Sequence, residues 1–409
     1  MSAIRYGLPY WLGEFPKKRR PSYPRHRGHL ETEVAIVGGG LTGCATAYAL
    51  ASAGVNVALF EAGQIGQGST GGSTAMLMQE PEVDFQDLRK RYGLRTARRI
   101  WQITRGATLD LGATVRRLKI RCQLQPQDSI YFATDPEASR RLRREYEARR
   151  TAGLETSWLT ADRLLRQTQL KGYGAIRTHG NAQVDPYRVC LGFASAALTP
   201  RAQIYERSPV ARVRFGRTAV EIKTEGGTAR AARVIIATGY ATPLYKPLAR
   251  HVRVMQTYAI ATPPLAAKVR AELGRRDAML WDSQHPYHYL RWTRDDRIVF
   301  GGADQPRPPG RQRAKILVQR TAQLMYELST LYPVISGIQP EYAWDGTVAT
   351  TADGLPYIGP HRNFPHHLFA LGYGGNGLTL GFLASRILLR HCLGEPAKGD
   401  ELFAFTRSD

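Results

Sequence analysis

Three glycines and one glutamate near the start of the chain have the spacing of a binding site for a dinucleotide. Gly38, Gly40 and Gly43 form a G-x-G-x-x-G pattern, and Glu61 follows Gly43 by 18 residues. Glycines at these positions permit a tight turn, a close approach of the backbone to a pyrophosphate, and close packing of a helix against a strand. A carboxylate at the later position binds ribose hydroxyls, so the pattern predicts a dinucleotide without a 2′-phosphate.

The elements needed to position these residues are visible on either side of the glycines. Residues 33–38 form a short apolar run typical of a buried strand, residues 44–53 form an alanine-rich helical stretch, and residues 55–62 form a second apolar strand. The three make a βαβ unit of about 30 residues, which is the context that the glycine pattern requires. The helix would direct its free N–H groups and the positive end of its dipole at the phosphates.

Length and composition indicate a large globular chain rather than a disordered one. The 409 residues are 43% hydrophobic, with a formal net charge of +23. Such a charge can attract nucleic acid, but Arg supplies most of it and is spread over nearly the whole chain, which argues against a nucleic-acid partner. Only residues 17–29 form a dense basic run, which we interpret as a solvated part of a basic N-terminal arm at 1–30, with a contact for an acidic partner as the alternative.

Several other classes of protein are disfavoured by what the sequence lacks. Its four cysteines lie far apart without a C-x-x-C pair, which disfavours a disulfide framework, and no metal-ligand pattern is present, so we expect no metal site. No apolar run approaches the roughly 18 residues of a membrane span, and no export signal is visible at the start. The sequence therefore predicts a cytoplasmic protein.

Five further segments carry a resemblance to a known family. Gly66–Ala75, a loop of small and hydroxyl-bearing residues, resembles the second flavin-contacting segment of the D-amino-acid oxidase superfamily of FAD-dependent oxidoreductases. Ser208–Val210, Val234–Gly239, Asp353–Gly359 and Gly372–Gly377 resemble other segments of this family, in the same order. Together with the βαβ unit they extend over almost the whole chain.

The resemblance implies an α/β fold with two interleaved domains. One is a Rossmann-like FAD-binding domain, and the other is an α+β substrate domain with a mixed or antiparallel sheet, as in the D-amino-acid oxidase or glutathione-reductase-2 type. The PYWL and STAML segments, at 9–12 and 73–77, resemble the bacterial branch that includes gamma-glutamylputrescine oxidases. The predicted parts are the arm at 1–30, the FAD-binding domain at 31–80, 180–245 and 340–409, and the substrate domain at 81–179 and 246–339.

The resemblance also implies the residues that hold FAD. Family members with covalent flavin carry a cysteine near the segment that reads Thr-Val-Ala-Thr here, at 347–350, so we expect the FAD to be bound without a covalent link. The N-terminal amides of a helix starting near Leu378 would face the flavin pyrimidine ring. The predicted cofactor-binding residues are Gly38, Gly40, Leu41, Thr42, Gly43, Glu61, Ala62, Gly68, Ser69, Thr70, Ser73, Thr74, Ala75, Met76, Val210, Ala237, Thr238, Gly239, Gly374, Gly375, Asn376, Gly377, Leu378 and Thr379.

The activity implied by the resemblance is oxidation of a C–N bond in a small amine or amino acid. A C–H bond beside the nitrogen delivers hydride to flavin N5, the imine hydrolyses, and dioxygen or another acceptor reoxidises the flavin. Amino-acid-oxidising members usually hold the substrate carboxylate with the Arg of a W-x-G-x-R-P segment. Here Val348 and Ala349 replace the Arg-Pro pair, which favours an amine, or a carboxylate held from elsewhere.

Four side chains are candidates for the catalytic pocket. Strand alternation places Tyr287, Tyr289 and Arg291 on one face, and Tyr289 falls near an active-site tyrosine of D-amino-acid oxidases. Arg291 could clamp a carboxylate in the same pocket, or be an exposed charge at a strand end. Tyr258 and Trp344 could form pocket walls, although both types of side chain also pack in cores.

Two alternatives to an oxidase remain open on this evidence. The lysine that sarcosine-oxidase-like relatives use to promote reaction with oxygen is absent from strand 298–302, so a dehydrogenase that passes electrons to a quinone or carrier protein fits the same fold. Because one relative of the fold modifies tRNA, a second alternative is an RNA-associated flavoprotein. The sequence does not indicate an oligomeric state.

Overall fold

The computed structural model describes residues 3–408, and within them the chain forms two β-sheets with helices packed around them. The strands are β1 (Arg5–Tyr6), β2 (Gly28–Val37), β3 (Val57–Phe60), β4 (Met76–Leu77), β5 (Gln125–Phe132), β6 (Thr156–Leu159), β7 (Ala175–Gln183), β8 (Ala202–Tyr205), β9 (Arg212–Phe215), β10 (Val220–Lys223), β11 (Gly227–Gly239), β12 (Arg253–Ala261), β13 (Ala278–Asp282), β14 (Tyr289–Trp292), β15 (Ile298–Pro306), β16 (Tyr342–Thr350), β17 (Tyr357–His361) and β18 (Phe364–Leu371). The α-helices are α1 (Tyr10–Glu14), α2 (Leu41–Ser52), α3 (Ser69–Gly72), α4 (Phe85–Arg117), α5 (Pro136–Thr151), α6 (Ala161–Thr168), α7 (Pro186–Ala197), α8 (Ala267–Ala271), α9 (Arg313–Leu331) and α10 (Gly377–Leu393).

The first sheet is the nucleotide-binding one and contains the predicted βαβ unit. Its order is β17-β18-β11-β2-β3-β8, and the hairpin of β9 and β10 extends from β11. The pairs from β18 to β8 are all parallel, as crossover connections through helices require. Helix α2 is apolar on nearly all sides because it is enclosed by the sheet and by α7 and α10. The Rossmann-like α/β prediction is confirmed.

The second sheet is mixed and faces the first across the site described below. Its order is β1-β16-β12-β15-β14-β13-β5-β7-β4, and β6 pairs with β7. Most neighbours are antiparallel, but β1 with β16 and β13 with β5 are parallel. Helix α9 covers one face through Leu317, Leu324 and Leu328, which are buried in a core with residues of β12, β14 and β15. A sheet covered on one face in this way can present its other face to a ligand.

The predicted domain boundaries need correction where the chain passes between the sheets. Residues 340–409 were expected in the FAD-binding domain, but β16 pairs with β12 along nine residues and belongs to the mixed sheet. Likewise β4 and the end of β7, residues 180–183, were expected in the FAD-binding domain but pair in the mixed sheet. Hydrogen bonds between strands distant in sequence decide this membership, and the sequence pattern of one strand does not identify its partner.

In the described part of residues 1–30, most of the basic run at 17–29 is exposed as expected, but the segment packs on the folded body rather than standing apart from it. β1 pairs with β16, and Trp11 of α1 is 1% exposed and donates its indole N–H to the Ser73 carbonyl, 2.7 Å away. In the basic run, His26 is buried, and its ring nitrogen lies 2.8 Å from Thr224 Oγ1. The arm is therefore part of the folded body, and its aromatic residues pack behind the loop at 68–76.

Residues 3–408 contain neither a membrane-spanning helix nor a metal-binding cluster. None of their helices combines the length and the apolar character that crossing a lipid bilayer requires. No group of three or more His, Cys, Asp and Glu side chains in this range is arranged to hold a metal ion. Cys44 and Cys190, which are distant in sequence, nevertheless lie with their sulfur atoms 3.7 Å apart as free thiols.

Candidate active site

A cavity of about 580 Å³ is lined by residues from both sheets. Cofactor and ligand sites typically have volumes of about 300–1,000 Å³. On one side it begins at the carboxyl ends of β2, β3 and β11, marked by Val37, Phe60 and Ala237. On the other side it meets strands β12, β14, β15 and β16 of the mixed sheet. Ligands of open α/β sheets bind at the carboxyl ends of parallel strands, so this position is the expected one.

The glycine turn forms the phosphate end of the cavity. Gly38 has φ +111°, and a Cβ there would lie 2.7 Å from the Ala237 carbonyl oxygen. At Gly43 a Cβ would lie 1.9 Å from the Gly38 carbonyl oxygen, so only glycine lets α2 start this close to β2. Glu61 accepts the N–H groups of Gly39 and Gly63, both at 2.7 Å, which holds its carboxylate at the cavity wall.

The loop after β3 is bound to the neighbouring elements by hydrogen bonds. Thr70 Oγ1 accepts the N–H of Leu41 at 3.0 Å, and Ser69 donates to the Thr347 carbonyl at 2.7 Å. Trp344, a predicted pocket wall, does not line the cavity; it is 1% exposed and donates its indole N–H to Gly72 O at 2.9 Å. Trp344 therefore positions the loop instead of contacting a substrate.

Most of the predicted cofactor residues lie along the cavity, and three do not. Gly43 supports the turn from behind, Ala75 is fully buried, and Thr379 donates its hydroxyl to the Met78 carbonyl at 2.7 Å. The predicted residues that line the cavity are Gly38, Gly40, Leu41, Thr42, Glu61, Ala62, Gly68, Ser69, Thr70, Ser73, Thr74, Met76, Val210, Ala237, Thr238, Gly239, Gly374, Gly375, Asn376, Gly377 and Leu378.

The suggestion that Arg291 clamps a substrate carboxylate is not supported by its position. Its side chain shares a strand face with Tyr289 but lies two residues farther along, a displacement of about 7 Å, and does not line the cavity. The guanidinium is buried over the Trp11 ring and donates to the carbonyls of Ala75 and Val184 at 2.7 and 2.8 Å. Arg291 thus stabilises the backbone behind the cavity.

We expect Arg291→Met to destabilise the protein without changing substrate affinity. The variant keeps the aliphatic stem but leaves the buried Val184 carbonyl without a donor and the Ala75 carbonyl with only the Val184 N–H at 3.3 Å, which costs about 1–3 kcal/mol of unfolding free energy. Because the Ala75 carbonyl belongs to the cavity loop, FAD retention should also weaken. Urea unfolding and flavin titration measure both effects, with the exposed Arg294→Met as control. If the variant is as stable as wild type but binds a carboxylate-bearing substrate more weakly, Arg291 binds the substrate carboxylate after all.

Tyr258 is also absent from the cavity lining. It is 1% exposed, and its hydroxyl accepts a hydrogen bond from the Gln305 amide at 2.8 Å. Its ring belongs to the core between the mixed sheet and α9. Its neighbour Thr257 faces the cavity instead, because successive residues of a strand point to opposite faces.

Two tyrosines do face the cavity from the mixed sheet. Tyr289 was predicted there, and its hydroxyl lies 2.5 Å from Thr257 Oγ1. Tyr287 donates its hydroxyl to Glu82 Oε1 at 3.0 Å. The charge of Glu82 and burial raise the pKa of Tyr287 well above its usual value, and burial together with the Asp304 charge raises the pKa of Tyr289. Both phenols therefore stay protonated near neutral pH and act as hydrogen-bond donors.

Two carboxylates of the cavity were missed by the sequence analysis. Glu82 accepts the N–H of Asn376 at 3.1 Å, and burial raises the pKa of its carboxyl against the opposing hydrogen bonds of Gly375 and Tyr287. Burial also raises the pKa of Asp304, whose Oδ1 is buried without a partner. Neither acid belongs to a recognisable motif. A search for acids next to the predicted tyrosine strand and the flavin loop is the signal that could have found them.

The tyrosine strand is held to α9 by a histidine between two acids. His288 Nδ1 lies 2.7 Å from Asp282 Oδ2, and its Nε2 lies 3.0 Å from Glu327 Oε2. Burial alone would lower the pKa of the imidazole, but the two carboxylates outweigh it and raise the pKa to about 9. The imidazolium therefore ties the segment of Tyr287 and Tyr289 to α9 at neutral pH.

We expect the His288 cluster to make stability fall in mild alkali. With an unfolded pKa of about 6.5, the stabilisation is complete below that pH, declines as the pH rises, and is lost above about 9. The loss amounts to at most about 3 kcal/mol. Urea unfolding between pH 6 and 10 measures it, and His288→Gln, which carries no charge, should flatten this part of the curve. An equal slope in that variant would assign the effect to other groups.

The fold and the site together define a class of protein. A glycine turn at the edge of a Rossmann-like sheet opens onto a cavity whose far wall is a second, mixed sheet. This arrangement is typical of enzymes that bind a dinucleotide cofactor at the edge of a Rossmann-like sheet and complete the site with a second sheet.

Comparison with known proteins identifies the family. The model of the DAO family, described as FAD dependent oxidoreductase, matches residues 33–390, and the chain belongs to this family. The chain is 26% identical over 374 residues to gamma-glutamylputrescine oxidoreductase of Escherichia coli (strain K12), covering 91% of this chain and 86% of that one. Over 378 residues it is 25% identical to glycine oxidase of Bacillus licheniformis, covering 91% and 96%.

Solved structures show the same fold. The crystal structure of glycine oxidase from Geobacillus kaustophilus matches with a TM-score of 0.77 and 24% identity, covering 92% of this chain and 99% of that one. L-proline dehydrogenase from P. horikoshii matches with a TM-score of 0.76 and 18% identity, covering 93% and 99%. The predictions of the family, of the fold and of an FAD-dependent oxidoreductase are confirmed.

Proposed function

We propose that this protein oxidises the C–N bond of a primary or secondary amine, with FAD held non-covalently in the cavity between the sheets. The observation that carries the substrate proposal is the charge of the lining. Among the described residues that line the cavity, the ionisable side chains are those of Asp, Glu and Tyr, and none is Arg, Lys or His. Val348 and Ala349 line it where the family's arginine motif would place a guanidinium, so no cation is available for a substrate carboxylate.

The cavity fits FAD by its shape and by its donors. Gly38 and Gly40 keep the phosphate end free of side chains, and the first residues of α2, Leu41 and Thr42, direct N–H groups and the helix dipole there. We propose that Glu61 binds the ribose hydroxyls of the adenosine. The remaining lining residues of the predicted cofactor set would hold the rest of the molecule, with the N-terminus of α10 near the flavin ring.

The residues of the mixed sheet would orient the substrate. FAD supplies the acceptor for the hydride when it is bound, and an imine formed in this way hydrolyses in water. Tyr289, Tyr287 and Trp281 form an aromatic wall that positions an alkyl chain and excludes water. Tyr289 remains a phenol, and its oxygen can accept an N–H of the amine, whose nitrogen has to be neutral, with its lone pair free, to react.

An anaerobic absorbance titration of the purified holoenzyme tests this function. We expect bleaching of the flavin by simple alkylamines and no bleaching by glycine or either enantiomer of alanine at equal concentrations. Bleaching by amino acids alone would contradict the amine proposal. Flavin that precipitates with the acid-denatured protein, instead of remaining in the supernatant, would contradict the non-covalent link.

The electron acceptor is tested with the same protein. We propose dioxygen, so the reduced enzyme should reoxidise in aerated buffer with formation of hydrogen peroxide. The dehydrogenase of the same fold predicts slow peroxide formation and fast reduction of a quinone or an artificial dye. The ratio of the two rates, measured with one amine, decides between them.

A further inference from the structure

The substrate side of the cavity contains an acid with one unpaired oxygen, although the Thr257 hydroxyl interacts with its carboxyl group. Asp304 lies on β15 and lines the cavity, and its Oδ1 is buried without a hydrogen-bond partner within the described residues. Burying a carboxylate oxygen without a donor costs free energy, so such an oxygen in a ligand cavity indicates a ligand that donates to it.

A second acceptor without a partner lines the same cavity. Asn376 is 5% exposed, and its Nδ2 donates to the carbonyls of Met78 and Glu80 at 3.0 and 2.8 Å. These two bonds determine the orientation of the amide, so Oδ1 is the free atom, and it is buried without a partner. The two unpaired oxygens, Asp304 Oδ1 and Asn376 Oδ1, therefore require hydrogen-bond donors from the molecule that occupies the cavity. The wall also contains an unpaired donor, Trp281 Nε1, which carries no charge.

The other two carboxylates on this side of the cavity are already used. Glu80 accepts hydrogen bonds from the Ser129 hydroxyl at 2.7 Å and the Asn181 amide at 3.0 Å. Glu82 accepts the Tyr287 hydroxyl through Oε1 and the Asn376 N–H through Oε2. It supports the turn before α10 and one wall tyrosine. Asp304 is thus the carboxylate of the substrate side that has capacity left.

A β-bulge directs Asp304 into the cavity. Between the pairs Tyr258↔Gly302 and Gln256↔Gln305, β12 has one residue where β15 has two, Ala303 and Asp304. Ala303 has φ +55°, which is uncommon for a residue with a side chain. Bulges change the face on which the following side chains lie, and here Asp304 joins Thr257 on the cavity side.

We propose that Asp304 binds a second, non-reacting cationic nitrogen of the substrate, which would make the substrate class diamines and other amines with two positive groups. This inference rests on the proposed amine oxidation. An ammonium or guanidinium would satisfy Oδ1 and cancel the buried negative charge, whereas a carboxylate in its place would be repelled. The reacting nitrogen is a separate group, because it must be neutral when its C–H bond is broken.

The experiment measures how three small ligands with carbon chains of equal length bind to the holoenzyme. The probes are 1,4-diaminobutane, butylamine and 4-aminobutanoate, and the readout is the apparent Kd and the limiting rate of anaerobic flavin reduction. We expect the diamine to bind about 10–100-fold more tightly than butylamine, as a charged hydrogen bond of about 1.5–3 kcal/mol implies. The amino acid should bind more weakly than butylamine.

The variant Asp304→Asn identifies the residue responsible. It should remove the preference for the diamine, so that the Kd values for the diamine and for butylamine come within about threefold of each other. Asp110→Asn, which removes an exposed acid from α4, is the charge-matched control and should behave as wild type. The flavin spectrum and the Tm of each variant establish that it is folded.

The outcomes separate the two proposals. If wild type binds butylamine as tightly as the diamine, or if Asp304→Asn weakens both equally, the second-cation site is overturned while amine oxidation stands. The wild-type comparison decides even if the variant fails to fold. If no amine reduces the flavin but amino acids do, the proposed function fails and this inference fails with it.

Discussion

Gly43→Ala is expected to yield a protein that cannot hold FAD. The added Cβ would lie 1.9 Å from the backbone oxygen of Gly38 and 3.5 Å from Ile36 Cγ2. Neither the turn nor β2 can move without displacing the phosphate end of the cavity, so α2 must tilt or shift away. Since the glycine turn and the N-terminus of α2 form the phosphate site, we expect at least a 100-fold weaker apparent affinity for FAD, about 2.7 kcal/mol.

The measurement is the flavin-to-protein ratio after purification, followed by titration of the apoprotein with FAD. Gly106→Ala is the matched control, because a Cβ there meets no atom within 4 Å and alanine is preferred to glycine in a helix. We expect that control to retain a full complement of flavin. A yellow Gly43→Ala protein with normal stoichiometry would show that the helix can approach the strand differently.

The largest effect on stability is expected at a buried ion pair near the C-terminus. Arg407 donates to both oxygens of Asp353 at 2.8 and 3.1 Å, and their side chains are 4% and 1% exposed. Tyr92 donates to the same carboxylate at 2.6 Å. Asp353→Asn leaves the guanidinium buried without its counter-charge, and removing one partner of a buried pair costs about 3–5 kcal/mol.

The pair should also make stability depend on pH in the acid range. Burial alone would raise the pKa of Asp353, but the hydrogen bonds and charge of Arg407 outweigh it and lower the pKa below its usual value. The stabilisation is therefore present above the unfolded pKa of about 3.9 and is lost as the pH falls through the folded value. Asp353→Asn lacks this charge, so its disadvantage relative to wild type should shrink in acid.

Urea unfolding at pH 7.5 and at about pH 2 measures both effects. Glu147→Gln is the control, because its i, i+4 pair with Arg143 is about half exposed on both sides and should contribute less than about 1 kcal/mol. If Asp353→Asn lowers the unfolding free energy at pH 7.5 by no more than Glu147→Gln does, the C-terminal segment does not stabilise the fold through the Arg407–Asp353 contact.

The sequence by itself determined the elements that depend on residues close together in the chain. The βαβ unit, the glycine turn and the position of Glu61 follow from apolar periodicity and from the sterics of neighbouring residues, and the structure has β2, α2 and β3 there. The helix expected to start near Leu378 is α10, Gly377–Leu393. The family resemblance rested on these local segments, which is why the fold and the cofactor class were correct.

Only the tertiary structure decided which side chains reach the substrate side of the cavity. Strand alternation correctly placed Arg291 on the same face as Tyr289. The strand continues past the cavity, however, and the Arg291 guanidinium donates to the carbonyls of residues 75 and 184, which are distant in sequence. Asp304 faces the cavity because a bulge, defined by pairing with β12, shifts the alternation of β15. Strand pairing, bulges and the partners of buried charges join residues far apart in sequence, and a pattern within one segment does not contain them.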